Sequence, residues 1–366
     1  MKKTLLAILA TVAMVACSND EIVREAAPEA IGFDNAFVNN STRSVNDPSY
    51  SNTNLFKNFA VYGFVENASL FDNVQVSGSA LNGEWTYDNT QYWIAGAKYN
   101  FAAIAPYANG KKGVFSVAKD VENNYVGTTV LPFTNTGTND VLYAQNAQVV
   151  GAANGNAKVA FTFRHILSKV KFSFENAYNA STATIKVYDV KIENAYATAT
   201  ATLGKTSTAW ANHAGTLALE FGNASDNEGT ANVKEAAEVA YAYGATYESL
   251  NERFLIPGTA PSVTYKDKNN NDVTVNAYKV TFKVDLLVNG TKVKTYDHTA
   301  YANFAPVAGN AYDIKTSINA ANIDPANEQE EIEFTVTKIT DWDNDHDGKE
   351  GSTGTDDVDN QVDTII

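Results

Sequence analysis

The sequence predicts an all-β protein, two β-sandwiches in series, and three observations carry that expectation. Apolar residues alternate with polar ones over short runs, the period of a half-buried strand. Tyrosine (19) and phenylalanine (18) are abundant beside Val and Thr, a mixture that suits pleated sheets. Helical periodicity is scarce, with Asn232–Ala242 the best short candidate. At 366 residues, 44% hydrophobic and 19% charged, the chain has the length for two ordinary domains and the composition to bury real cores.

The first strand is expected at Ile31–Val38, with Ile31 and Phe33 on one face. A polar loop, Asn39 to Ser44, follows it. Strand-like runs then cover Asn58–Val65, Tyr92–Ile94, Tyr99–Pro106, Val130–Phe133, Val141–Tyr143 and Val159–Phe163. From Val159 to Phe174 the apolar residues hold odd positions as far as Leu167 and even positions from Val170. A period of two cannot change phase without an extra residue, so a bulge or sharp bend is expected near Ser168. His165 falls among these apolar positions and is expected to be a hydrogen-bonded core residue. The second half adds Ile185–Ile192, Leu217–Phe221, Arg253–Ile256 and Ala277–Val288. There Asn289-Gly290 supplies a type I′ hairpin turn into Thr291–Tyr296. Tyr312–Ile318 and Ile332–Ile339 complete the set. The two sandwiches are placed at 44–176 and 177–342.

The ends of the chain have other uses. Two lysines and about thirteen apolar or small residues precede Cys17, a stretch too short to span a bilayer and built like a secretory signal. Cys17 is the sole cysteine and stands where signal cleavage falls, after Met14-Val15-Ala16. Residues 1–17 therefore resemble a lipoprotein signal peptide with its lipobox, and Cys17 is expected to carry covalent lipid; the alternative is a plain signal with an incidental cysteine. No intrachain disulfide is then available. Residues 18–30 read as a polar, acidic tether.

The net charge of −15 argues against a nucleic-acid partner, which calls for clustered Lys and Arg. Residues 341–366 hold nine acids and one base, so this tail supplies −8 of the −15. Within it Asp343, Asp345 and Asp347, followed by Gly348, match the start of a calcium loop. The twelfth position is Gly354 rather than a bidentate Glu, so any calcium binding is expected to be weak. No other cofactor is indicated. The four histidines stand in unrelated contexts, and no P-loop, Rossmann fingerprint or HExxH pair occurs, so the chain is not expected to be an enzyme.

Several segments together resemble the fimbrillin (Mfa-like, FimA-like) family of Bacteroides-group bacteria. They are the lipobox leader, Ile31-Gly32-Phe33, Arg43 in its polar loop, and Phe59-Ala60-Val61-Tyr62-Gly63-Phe64. Further along come Phe163-Arg164-His165-Ile166-Leu167-Ser168-Lys169-Val170, Phe254-Leu255-Ile256-Pro257-Gly258, Pro306-Val307-Ala308-Gly309-Asn310-Ala311-Tyr312 and Ile339-Thr340-Asp341-Trp342. The acidic residues after Cys17 also resemble the surface-export signal of lipoproteins in that group. The resemblance implies two transthyretin-like sandwiches, export to the outer membrane as a lipoprotein, and assembly into surface fimbriae with other subunits. It further implies that an arginine-specific surface protease cuts in the loop behind the first strand, and that a neighbouring subunit fills the vacated groove with a strand of its own.

The residues suit that scheme. The chain has four arginines, Arg24, Arg43, Arg164 and Arg253. Arg164 lies in a predicted strand and Arg253 abuts one, whereas the Arg43–Ser44 bond lies in a polar loop that a protease can extend. Cutting there would remove residues 18–43. The donor candidate is the tail 343–366, whose terminal hydrophobics Val358, Val362, Ile365 and Ile366 follow an acidic spacer. The expectation is a stalk subunit. Its rival is a surface lipoprotein, tip adhesin or anchor, that binds a host glycan or protein and does not polymerise; a carbohydrate-active enzyme is the remoter third.

Overall fold

The computed structural model describes residues 29–38, 58–79, 84–107, 112–152, 158–177, 183–221, 248–249, 252–267, 269–326 and 332–339. Among them the regular structure is entirely strand. In chain order the first ten are β1 (Phe33–Val38), β2 (Asn58–Val65), β3 (Ala68–Ser79), β4 (Glu84–Thr86), β5 (Lys98–Ala105), β6 (Val114–Lys119), β7 (Tyr125–Thr134), β8 (Leu142–Val150), β9 (Val159–His165) and β10 (Ser168–Asn176). They continue as β11 (Ala183–Leu203), β12 (Thr208–Phe221), β13 (Glu248–Ser249), β14 (Arg253–Leu255), β15 (Ser262–Lys266), β16 (Asp272–Asn276), β17 (Tyr278–Val288), β18 (Thr291–Ala302), β19 (Ala311–Ile318) and β20 (Thr335–Ile339).

Three sheets hold the cores. The first runs β1-β9-β8-β5-β2-β3-β4, with β1 parallel to β9 at one end. The second runs β18-β17-β11-β7-β6, with β12 also on β11. The third runs β13-β10-β19-β20, with β14 on β10. A cluster containing Phe172, Phe174, Ile185, Val187, Phe282, Val284 and Ile314 packs strands of the second sheet against the third. Another, with Tyr62, Ile104, Leu131, Phe133, Tyr143 and Ala201, joins the first sheet to the second. The opposite face of the first sheet encloses a third cluster, rich in aromatic rings.

All-β sandwich architecture thus agrees with the alternating pattern, and the bend expected near Ser168 is present. β9 ends at His165 in the first sheet and β10 begins at Ser168 in the third, so the phase change marks a strand switching sheets. Ile166 and Leu167, the two residues of the switch, are both buried. His165 is buried too, its Nδ1 paired with the Asp140 carboxylate. The Asn289-Gly290 turn has positive φ at both residues (53° and 75°) and closes β17 onto β18.

Other elements differ from the sequence reading. Tyr92–Ile94 is not a strand; its one ladder contact is an isolated bridge from Tyr92 to Ala30. The strand expected at Ile332–Ile339 is confined to Thr335–Ile339, and that expected at Leu217–Phe221 begins at Thr208. The hairpin β15–β16 was not expected. Asn232–Ala242 lies outside the described residues. β11 is 21 residues long and pairs with β17 in its first half and with β7 in its second. The second sheet therefore draws β6 and β7 from before residue 176 and β11, β12, β17 and β18 from after residue 177.

Candidate functional site

β1 stands at one end of the first sheet, with a single ladder partner. The alternation of Ile31, Gly32 and Phe33 puts two large apolar groups on one face with a glycine between them. Both side chains are fully enclosed, Ile31 at 1% and Phe33 at 0% exposure. The Phe33 ring stacks on Phe161 (centroids 5.9 Å apart, planes 17°) and meets Phe59, Phe71, Tyr87 and Phe101 edge-on at 5.4–6.4 Å. Offset and edge-to-face contacts are the favoured aromatic geometries.

Both edges of the segment are bonded. On one side β1 pairs in parallel with β9, Phe33 opposite Val159 and Val38 opposite Phe163, with a register shift between Asp34 and Phe37. The Val159 amide donates to the Gly32 carbonyl at 2.8 Å. On the other side the Ile31 amide donates to Gln91 O (2.8 Å) and the Trp93 amide donates to Glu29 O (3.0 Å). The Tyr87 hydroxyl donates to the Ile31 carbonyl at 2.6 Å and accepts from the Gln91 amide. Burial pushes the Tyr87 phenol up from its ordinary value, opposed in part by that amide, so it stays a donor at physiological pH.

The two ends of the first sheet, β1 and β4, approach each other, so the sheet curls round its aromatic core and β1 is the closing stave. Gly63 allows the curl: a Cβ there would lie 2.7 Å from Phe71 Cδ2 and 3.0 Å from Phe101 Cδ1. β9 meets β8 only near its end, through Leu142–His165 and Tyr143–Arg164. Its first residues thus take their ladder from β1, with the Asn146 side chain donating to Ala160 O. Without β1, the chain would present an apolar slot bordered by unpaired backbone groups, which another extended segment can complete.

Of the residues singled out from sequence, Ile31 and Phe33 are brought into one pocket. Arg164 and Arg253 sit in β9 and β14 as expected. Arg164 donates to the carbonyls of Gly204, Lys205 and Ser207 and to Thr208 Oγ1, and it lies over the Tyr143 ring. Burial lowers both guanidinium pKa values. Cys17, Arg43, Ser44, Asp343, Asp345, Asp347, Val358, Val362, Ile365 and Ile366 lie outside the described residues. Among the described residues no group of three or more His, Cys, Asp or Glu could hold a metal ion, and no helix is long and apolar enough to cross a membrane. Sequence reasoning missed Tyr87, Gln91 and Trp93 as the second border of the slot. The Tyr92–Ile94 run was their only trace.

Residues 42–342 match the family model described as fimbrillin-like. The chain belongs to the fimbrillin-like family. The matched region begins four residues after β1 ends. Among solved structures, this fimbrillin-like chain is similar to a protein assigned to cell adhesion from Bacteroides uniformis ATCC 8492, at 17% identity and a TM-score of 0.45, covering 86% of this chain and 99% of that one. A second, from Bacteroides ovatus ATCC 8483, gives 15% identity and 0.43 over 87% and 99%. A third, from Bacteroides eggerthii DSM 20697, gives 14% and 0.40 over 85% and 91%. No curated protein matches.

Proposed function

We propose that this fimbrillin-like protein is a structural, stalk-type subunit of a surface fimbria that supports adhesion and assembles by strand exchange at the β1 slot. The carrying observation is that β1 is a terminal stave, buried through Ile31 and Phe33 and joined to the next described residue, Asn58, through the segment that contains Arg43. In this reading the subunit travels to the outer membrane on lipid attached to Cys17. An arginine-specific protease then cuts between Arg43 and Ser44, and a neighbour's tail, ending in Val358, Val362, Ile365 and Ile366, enters the slot. The family and the descriptions of the adhesion proteins support a surface role. Nothing in the reading calls for a catalytic centre.

Surface-exposed protein should begin at Ser44, carry no lipid, and form heat-sensitive high-mass ladders on gels. Arg43→Ala should hold it as a lipidated monomer beginning at Cys17, and deletion of Thr364–Ile366 should weaken the ladders. Native surface protein that is monomeric and still begins at an acylated Cys17 would instead make it a non-polymerising lipoprotein that binds a host glycan or protein.

A further inference from the structure

We propose that the slot binds the leader strand as a separate chain, so that a cut at Arg43 leaves the site capped until the strand is displaced. This rests on the processing step above. Every contact described for the segment is made by residues 29–33 or by the β1 backbone. Their partners in Asn58–Val65, Phe71, Tyr87–Trp93, Phe101 and Val159–Phe163 belong to the body. None of these contacts needs an intact peptide bond at residue 43. Cutting therefore removes a tether and leaves the pocket, both backbone borders and the Tyr87 hydrogen bond as they were.

The slot also has its own specification. It takes an extended segment running parallel to β9 and antiparallel to residues 91–93. One large apolar side chain enters at Ile31 and a ring enters at Phe33. Between them Gly32 turns to the opposite face, where an added Cβ would press on the Lys158 side chain, with Cγ at 3.0 Å. The leader supplies that pattern. The tail does not: no aromatic residue follows Trp342. Valine or isoleucine would underfill a site walled by five rings, and the lost contacts leave a void that the surroundings only partly close. The preferred ligand of the slot is thus an extended peptide with a large apolar residue two positions before an aromatic one, and the leader acts as a competitive inhibitor of assembly after it has been cut. A donor displaces it by engaging a larger surface, or after the leader is withdrawn.

The test uses the purified full-length chain nicked in solution by an arginine-specific protease, with a parallel chain carrying a sequence-specific protease site within 40–50 in case Arg43 resists. After native size exclusion, mass spectrometry should find the leader fragment in the body's peak. A fluorescent peptide of residues 27–40 should exchange into the nicked chain slowly, and its Phe33→Ala form should leave about a hundredfold faster, the effect of losing a buried ring. A peptide of residues 354–366 should compete poorly. Separation of the leader on the column, or equal binding of the native, Phe33→Ala and tail peptides, would overturn the inference. A retained leader whose removal in mild denaturant still yields no ladders would leave the inference standing and remove strand exchange from the proposed function.

Discussion

Replacing Phe33 by Ala in the uncut chain tests whether β1 is anchored by its ring. The side chain is wholly buried among five aromatic groups, and removing a buried Phe costs about 3–5 kcal/mol. The cost does not have to appear as global unfolding. β1 is an edge strand with one ladder partner, so its detachment from β9 can cost less than unfolding the body. The mutation should then act on that local opening, raising its population by about two orders of magnitude or more. Hydrogen exchange followed by mass spectrometry resolves it. The Val159 amide, bonded to Gly32 O, and its neighbours in β9 should exchange about a hundredfold faster, while the β17–β18 hairpin keeps its protection. Denaturant unfolding should fall by no more than about 5 kcal/mol. Unchanged exchange in β9, together with a loss of stability under about 1 kcal/mol, would show that the ring is not the anchor and would undo the slot argument.

Three further outcomes follow from particular residues. Burial lowers the His298 imidazole from 6.5 to about 4, against a hydrogen bond to the Ile323 backbone and the nearby Asp297 and Asp324. The fold thus accommodates the neutral ring: its contribution is full above 6.5, drains away as pH falls to about 4, and is constant below that. About 3 kcal/mol should be lost across that window in chemical denaturation, and the slope should vanish in His298→Phe. Gly63→Ala should destabilise by about 1–3 kcal/mol, because its methyl group must displace the Phe71 and Phe101 rings beside the slot; thermal melts check this. Calorimetric titration should show weak calcium binding that disappears in a chain carrying Asp343→Asn, Asp345→Asn and Asp347→Asn; identical heats from both chains would remove calcium from the account.

What the sequence made legible follows contrast between apolar and polar positions. Tyr278, Val280, Phe282 and Val284 alternate with Lys, Thr and Asp, and β17 lies where that pattern places it. The second half of β11 includes Ala197-Thr198-Ala199-Thr200-Ala201-Thr202, where small residues alternate with small hydroxyls. Too little hydrophobic difference separates its faces to mark a strand, and β7 and β12 fix it instead. The β15–β16 hairpin was hidden for another reason. Its turn is organised by Asp267, whose carboxylate accepts from the Asn269 and Asn271 amides, and Asp120 builds the same turn between β6 and β7. Such Asx-based turns lack the short Asn-Gly signature that revealed β17–β18. At the slot, Ile31 and Phe33 could be read from their alternation. Tyr87, Gln91 and Trp93 could not, since their role comes from the curl of a sheet whose ends are far apart in sequence.

The continuity of β11 has a mechanical consequence. At about 3.3 Å per residue its 21 residues reach on the order of 65–70 Å, and neighbours from both cores grip it along that length. Tension along such a strand loads many hydrogen bonds together in shear instead of peeling them one at a time. The two cores also share this strand in place of a linker, so one cannot swing or melt without disturbing the other. A filament built from such units would resist extension as a stiff rod, with its compliance concentrated at the joints between subunits.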